Sequence, residues 1–447
     1  MQFITLADYL LLPFYLLIIY AVAYGIRNRL YPEGHPWRPY FILGLTVKVV
    51  GAIFIGLIYQ YYYGGGDTAN YFKQAQVVNS AFDESPGKWL NLILHIPAWY
   101  EGGYTQYTSL MEWYRDPASY AVVAITAFFS IFCFNTFLPT SVLFAAISFT
   151  GIWALFRTFA LQYPSLTRHI ALAVLFVPST FIWGSGIFKD TVCMFGMGWL
   201  IYAVFQLLIQ RAFSVMNILI AIASFYLVAK IKVYILLAFV PALALWILFT
   251  YSHRIRIGFV RLALKGAVFG LAGGGFLFVS QQYARELGKY SLENIARTSY
   301  VTRDWIAYSS GDEGSAYDLG EFEPTFAGML TKFPQAVNVT LFRPYPWEAR
   351  KVIVMLNAIE AFLFLLLTVK IIFGIGPLRV WRTINSDPNI QFCLIFTLIF
   401  AFAVGISSYN FGSLSRYKIP CLPLYALALV LIYYRHQPAE KPFLSIR

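Results

Sequence analysis

Gly51-Ala-Ile-Phe-Ile-Gly-Leu-Ile-Tyr59-Gln-Tyr-Tyr-Tyr63-Gly-Gly-Gly66-Asp67-Thr-Ala-Asn-Tyr71-Phe72 closes an apolar run that begins near Phe41, and ends it with three glycines and a carboxylate. A run of about twenty mostly apolar residues is what a helix needs to cross the hydrocarbon core of a bilayer. The glycines allow a sharp backbone turn. An acid at the headgroup boundary can then reach a polar group whose lipid tail stays in the membrane. A solvated aspartate after a glycine hinge is the plainer reading of the same residues.

Such runs recur along all 447 residues, near 6–26, 41–63, 119–138, 141–161, 170–187, 191–210, 214–229, 233–251, 266–281, 352–374, 390–408 and 419–434. Hydrophobic residues make up 59% of the chain and charged ones 12%, a balance that a water-soluble domain of this size does not need. Only helices or closed barrels satisfy the backbone in lipid, and the alternation of a barrel strand is absent. The expected fold is therefore all-α: a polytopic helical membrane protein with about 11–13 transmembrane helices. It reads as a single domain over 1–447, and Leu6–Ile26, which lacks a basic leader and a cleavage site, reads as a retained helix.

Other classes fall away on composition. The net charge of +12 comes mostly from short loops, which points to membrane orientation and away from nucleic acid. Cys133, Cys193, Cys393 and Cys421 lie inside apolar runs at unrelated spacings, so neither a disulfide framework nor a zinc site is expected and they read as packing residues. The five histidines are scattered. No metal site is assigned; a divalent cation is compatible with the chain only if oxygen ligands hold it. Aromatic residues reach 19%, and clusters such as Tyr59-Gln-Tyr-Tyr-Tyr63 read as interfacial anchors before sugar-stacking platforms.

Arg254, Arg256, Arg261, Lys265, Arg379, Arg382, Arg435 and Lys441 are expected on the cytoplasmic side. Counting back from them puts the turn 184–190, the junction 230–234, the loop 282–351 and residues 412–418 outside; counting forward from Arg27, Arg29 and Arg38 puts Asp67 outside as well. The two counts differ by one crossing. An element between 68 and 140, either Trp89–Tyr100 or the helix from Ser119, is expected to dip in and return or to stop short. The loop 64–118 is expected to carry interfacial helices that roof a cavity at the outer leaflet, with 282–351 as a second large external loop.

Four groups of residues on that face are the candidates for chemistry. Asp67 and Tyr71 share a face if the stretch is helical, so that the phenol can position the carboxylate or a sugar hydroxyl. Lys189 and Asp190 follow the proline-bent segment Pro178–Trp183; Asp190 either holds a polar ligand or a metal, or caps a helix. Lys230, Lys232, Arg343, Arg416 and Lys418 supply cations, with arginine favoured for phosphate and snorkelling as the competing account. Glu360 lies inside an apolar run, where an ionisable group normally faces a polar cavity or a partner such as Arg343 or Arg416. The loop acids Asp304, Asp312, Glu313, Asp318, Glu321 and Glu323 read first as a solvated face.

The order of these features resembles the GT-C superfamily of integral-membrane glycosyltransferases, and the related bacterial polysaccharide polymerases. The acid in the first large external loop of that family corresponds to Asp67, its Pro-x(n)-Asp pattern to Pro178…Asp190, and its late Arg before an apolar-proline helix to Arg416-Tyr-Lys-Ile-Pro420-Cys-Leu-Pro423. Asp67 departs from the pattern in following the second apolar stretch and in having no adjacent acid. The resemblance implies a GT-C-like fold in a bacterial inner membrane with its active face outward. It also implies a polyprenyl-phosphate-linked sugar donor, a glycan or lipid-linked acceptor, Asp67 (as general base) and Asp190 as catalytic residues, and Tyr71, Lys189, Lys230, Lys232, Arg343, Glu360, Arg416 and Lys418 as substrate-binding residues. A polymerase of lipid-linked repeat units and a flippase of lipid-linked oligosaccharide are the alternatives.

Overall fold

The computed structural model describes residues 2–97, 102–252, 316–323 and 325–437, together with residues 266, 297 and 299–301. All but the first residue of the expected helix over 266–281, the basic loop 254–265, Lys441, and the acids Asp304, Asp312 and Glu313 lie outside the described residues. Every regular element among the described residues is helical, apart from one isolated bridge between Ala316 and Asn410. The chain divides into two compact units, residues 1–167 with 175–233, and residues 168–174 with 234–447.

The first unit begins with α1 (Leu6–Leu30), α2 (Arg38–Tyr61), α3 (Asp67–Glu84) and α4 (Pro86–Ile93), and continues through the single turn α5 (Thr105–Thr108) to α6 (Pro117–Ile131) and α7 (Phe137–Gln162). After α8 (Thr167–Leu175), most of which belongs to the second unit, come α9 (Pro178–Trp183) and α10 (Lys189–Val204), which runs into a π turn over Phe205–Ile209. Small residues set the packing. A Cβ on Gly151 of α7 would strike the Phe195 backbone of α10, and one on Gly198 of α10 would strike the Gly151 carbonyl, so the two helices cross backbone to backbone. Asp8 completes a capping box with Thr5 and its other oxygen accepts from the Leu138 amide at 2.8 Å, so one buried carboxylate closes the starts of α1 and α7. Asn79 joins α3 to α6 by donating to the Ala127 carbonyl and the Ser130 hydroxyl at 3.0 and 2.9 Å, and it accepts from the Trp89 indole of α4 at 2.8 Å.

α11 (Val215–Ser252) leads from the first unit into the second and leaves helical geometry at Lys232 (φ −145°, ψ 76°). The second unit adds α12 (Phe326–Thr331), α13 (Phe333–Phe342), α14 (Val352–Ile375), α15 (Pro377–Ser386), α16 (Pro388–Ser408), α17 (Phe411–Tyr417) and α18 (Leu422–Tyr434). Its core is aromatic: Trp246 stacks on Phe392 at 4.7 Å and donates to Asn389 at 2.8 Å, while Phe239 abuts Phe392 and Phe396. Gly405 lies so close to the Ala336 carbonyl that no side chain fits, which seats α13 on α16, and Thr340 donates to the Ala401 carbonyl at 2.7 Å. Residues 326–342, expected within an external loop, are thus packed helices; Thr325 starts α12 by accepting from the Gly328 amide at 3.0 Å.

Among the described residues seven helices are long and apolar enough to cross a membrane, namely α1, α2, α7, α10, α11, α14 and α16, and the pair α17 and α18, bent by 68°, makes an eighth if it is one span. The chain is a polytopic helical membrane protein. Among the described residues fewer spans stand than the apolar segments suggested, in part because 267–281 lies outside them and otherwise for local reasons. Residues 119–138 yield only α6, because the chain turns out of the helix through Phe134 and Asn135 at φ 51° and 52°. Residues 170–187 break at Val177 before Pro178, where proline disfavours helix in its predecessor. Residues 214–251 form two helical stretches that meet at the kink at Lys232, within the junction expected at 230–234.

Candidate functional site

The candidate residues divide between the units. Asp67, Tyr71, Lys189, Asp190, Lys230 and Lys232 belong to the first; Arg343, Glu360, Arg416 and Lys418 belong to the second.

In the first unit the chain leaves α2 through Gly64, Gly65 and Gly66 at φ 69°, 147° and 123°, conformations open to glycine and costly for other residues. The turn delivers Asp67 to the start of α3, where the helix dipole favours a negative charge, and leaves it half-buried. Gly66 abuts the Tyr59 ring so closely that a Cβ would stand 2.8 Å from Cε1. The same ring meets Phe188 at 5.5 Å. One aromatic side chain therefore touches both the residue before Asp67 and the residue before Lys189.

Tyr71, one turn into α3, is buried against Trp113 at 4.5 Å, and Gln74 accepts from the Trp113 amide at 3.1 Å. These contacts pin the 3-10 turn Glu112–Arg115 on α3 and set Asp116 after it. Asp116 caps α6, accepting from the Ala118 amide at 3.1 Å and from the Ser119 hydroxyl, and forms an ion pair with Lys189 at 3.4 Å. Burial alone would raise the Asp116 carboxyl; the Ser119 bond, the Lys189 charge and the Ala118 amide together hold it below the usual aspartate value.

Asp190 in the first turn of α10 is buried and forms an ion pair with Lys232, itself buried at the break in α11. Lys189 is partly exposed and Lys230 exposed, which leaves these two as the ammonium groups of the row that solvent reaches. Lys230 also bears on His95, whose ring packs on Tyr120 at 4.3 Å and Tyr114 at 4.7 Å, with Nε2 at 3.1 Å from the Tyr114 carbonyl. Burial first, and the Lys230 charge after it, lower the His95 pKa against the opposing Tyr114 carbonyl, so the imidazole is neutral at neutral pH.

Beneath this row lies Lys48, buried in α2 with its ammonium donating to the Gly184 carbonyl. Gly51, one turn later, leaves room only for the Phe181 carbonyl, and Ile55 meets Gly186. α2 thus braces the turn 181–188 that presents Lys189 and Asp190. The arrangement gives a half-exposed carboxylate beside a braced, cation-bearing helix start, which can accept a proton from a hydroxyl and receive an anionic group.

In the second unit the Arg343 guanidinium is clamped by Glu348, with Nε at 3.1 Å from both carboxylate oxygens and Nη2 on Oε1, and it lies over the rings of Phe411 at 5.4 Å and Tyr345 at 5.9 Å. Its carboxylate partner is Glu348 rather than Glu360. Lys418 is fully buried, with Nζ at 3.5 Å from the Arg343 carbonyl, and the buried Glu360 acts on it electrostatically. Arg416 lies over the Tyr417 ring at 5.2 Å. Cys133, Cys193, Cys393 and Cys421 are buried free thiols, and among the described residues no three His, Cys, Asp or Glu side chains gather to hold a metal.

Asp116, His95, Lys48 and Glu348 were not singled out in the sequence, and Tyr59 was read only as part of a cluster of interfacial anchors. Asp116 carries a usable signal, an Asp-Pro step opening an apolar run. Lys48 is flagged by the rule applied to Glu360, since it too is a charge inside an apolar run.

Compared with protein-family models, with curated proteins and with solved structures, the chain matches none. The class it belongs to rests on its own helices, those of an integral membrane protein with several spans.

Proposed function

We propose that this protein is a GT-C-type glycosyltransferase that moves a sugar from a polyprenyl-phosphate donor to an acceptor hydroxyl at the outer face of the membrane, in assembly of a cell-surface glycan or glycolipid. Asp67 takes the acceptor proton, the freed oxygen attacks the anomeric carbon, and the bond from that carbon to the phosphate oxygen breaks. The lipid phosphate leaves with the electron pair, and a cation stabilises its charge as it develops. The observation that carries this reading is the Tyr59 ring, which touches Gly66 and Phe188 and so puts the half-exposed Asp67 near the turn that bears Lys189. Lys189 and Lys230 supply positive charge to the phosphate. Asp190, sealed with Lys232, suits holding α10 in place better than meeting a substrate.

The buried Asp190–Lys232 pair at a helix break also favours a second reading, a flippase of lipid-linked oligosaccharide, because intramembrane ion pairs at broken helices are devices of transporters. Purified protein incubated with defined polyprenyl-phosphate sugars, with and without chelator, separates these readings by mass analysis of the lipid products. Single additions support the transferase. Ladders of repeat units indicate the polymerase, and movement of labelled lipid with no covalent product indicates the flippase.

A further inference from the structure

The connection between α14 and α16 contains none of the residues assigned to that reaction. The chain leaves α14 at Gly376, whose φ of 95° favours glycine, and starts α15 with Pro377. α15 ends at Asp387, which caps α16 by accepting from the Asn389 amide at 2.9 Å. Ten residues of helix span roughly 15 Å, half of a bilayer core, so α15 is too short to cross a membrane. Val380 and Thr383 face the protein, where the Thr383 hydroxyl meets His436 Nε2 at 2.6 Å and ties α15 to the end of α18.

The outward residues come in two pairs, each one turn apart. Leu378 and Trp381 are 62% and 61% exposed, and beside them stand Arg379 and Arg382, also exposed. Two further exposed cations flank the helix: Lys370 on α14, above the Tyr433 ring at 6.0 Å, and Arg435 just past α18. No acidic residue occurs between Lys370 and Asp387 or between Leu422 and Gln437, so nothing within these stretches offsets their charge. Exposed tryptophan and leucine suit the boundary between acyl chains and headgroups. Adjacent arginines suit a phosphate, which the planar guanidinium binds with two hydrogen bonds. A soluble anion satisfies only the second requirement, whereas a phospholipid satisfies both.

We propose that α15, with Lys370 and Arg435, is a seat for anionic phospholipid, the arginines holding the headgroup phosphate while Leu378 and Trp381 enter the acyl boundary. The seat is independent of the glycosyl-transfer reading. It is tested in nanodiscs of phosphatidylcholine with or without phosphatidylglycerol, followed by native mass spectrometry of the lipid retained on the released protein. Wild-type protein is expected to retain phosphatidylglycerol over phosphatidylcholine, and each of Arg379→Gln and Arg382→Gln to lower that preference about fivefold. A second measurement leaves the arginines of the seat in place: in Trp381→Phe, quenching of the tryptophan fluorescence by brominated phosphatidylglycerol is expected to fall relative to wild type, and quenching by brominated phosphatidylcholine to change less. Equal retention of the two lipids, full preference in the double arginine variant, or release of phosphatidylglycerol by millimolar inorganic phosphate each overturns the proposal, the last by making the seat a soluble-phosphate site.

Discussion

The Lys232 ammonium and the Asp190 carboxylate form a buried ion pair at the residue where a 38-residue helix leaves helical geometry. A break in an apolar helix frees backbone groups that neighbouring polar side chains must satisfy. Here it also admits a charge, which the first turn of α10 neutralises. Removing one partner strands the other in a medium that cannot solvate it, whereas replacing both with apolar residues does not. Lys232→Met alone is expected to cost about 3–5 kcal/mol, and adding Asp190→Leu to recover most of it. Unfolding in detergent, followed by circular dichroism, measures both; equal losses in the single and the double variant would sink the account of the pair.

The crossing of α7 and α10 leaves no space for a side chain at Gly151 or Gly198. Gly151→Val is expected to lower stability by more than about 2 kcal/mol, since neither backbone can yield without moving a helix. Gly25, with nothing within 4 Å of a Cβ, is the control. Gly25→Ala is expected to leave the midpoint unchanged or slightly raised.

The Glu348 carboxyl is pushed up by burial, but the Arg343 guanidinium and the Tyr345 amide outweigh this and hold it below the ordinary glutamate value. Because the folded pKa is the lower one, the clamp contributes fully above the unfolded value and is lost as pH falls through the folded value, where the unfolded chain has already taken up the proton. Stability is therefore expected to decline on acidification across that window, and Glu348→Gln to remove this part of the slope. A pH series of denaturation midpoints checks it, and an unchanged slope in the variant contradicts the assignment.

The helical membrane class was legible because it depends on long apolar runs, and α1, α2, α7, α14 and α16 fall where those runs predicted them. What failed locally was decided by single residues. The turn at Phe134 and Asn135 cut α6 short, and Pro178 split an apolar run. The placement of Asp67 after a glycine turn at a helix start was legible too, since three successive glycines have few other uses. Its neighbours were not. Tyr59 contacts Phe188 across more than a hundred residues of chain, and Lys189 takes Asp116 as its partner, pairings that no spacing encodes.

The central claim is that Asp67 accepts the acceptor proton beside the cation-bearing turn at Lys189. It is tested most directly by turnover of a polyprenyl-phosphate sugar by wild-type protein and by Asp67→Asn, an exchange that keeps the size of the side chain and removes its basicity. The account predicts a fall in turnover of about a hundredfold or more, with helical content and melting unchanged. Wild-type turnover in Asp67→Asn would contradict it.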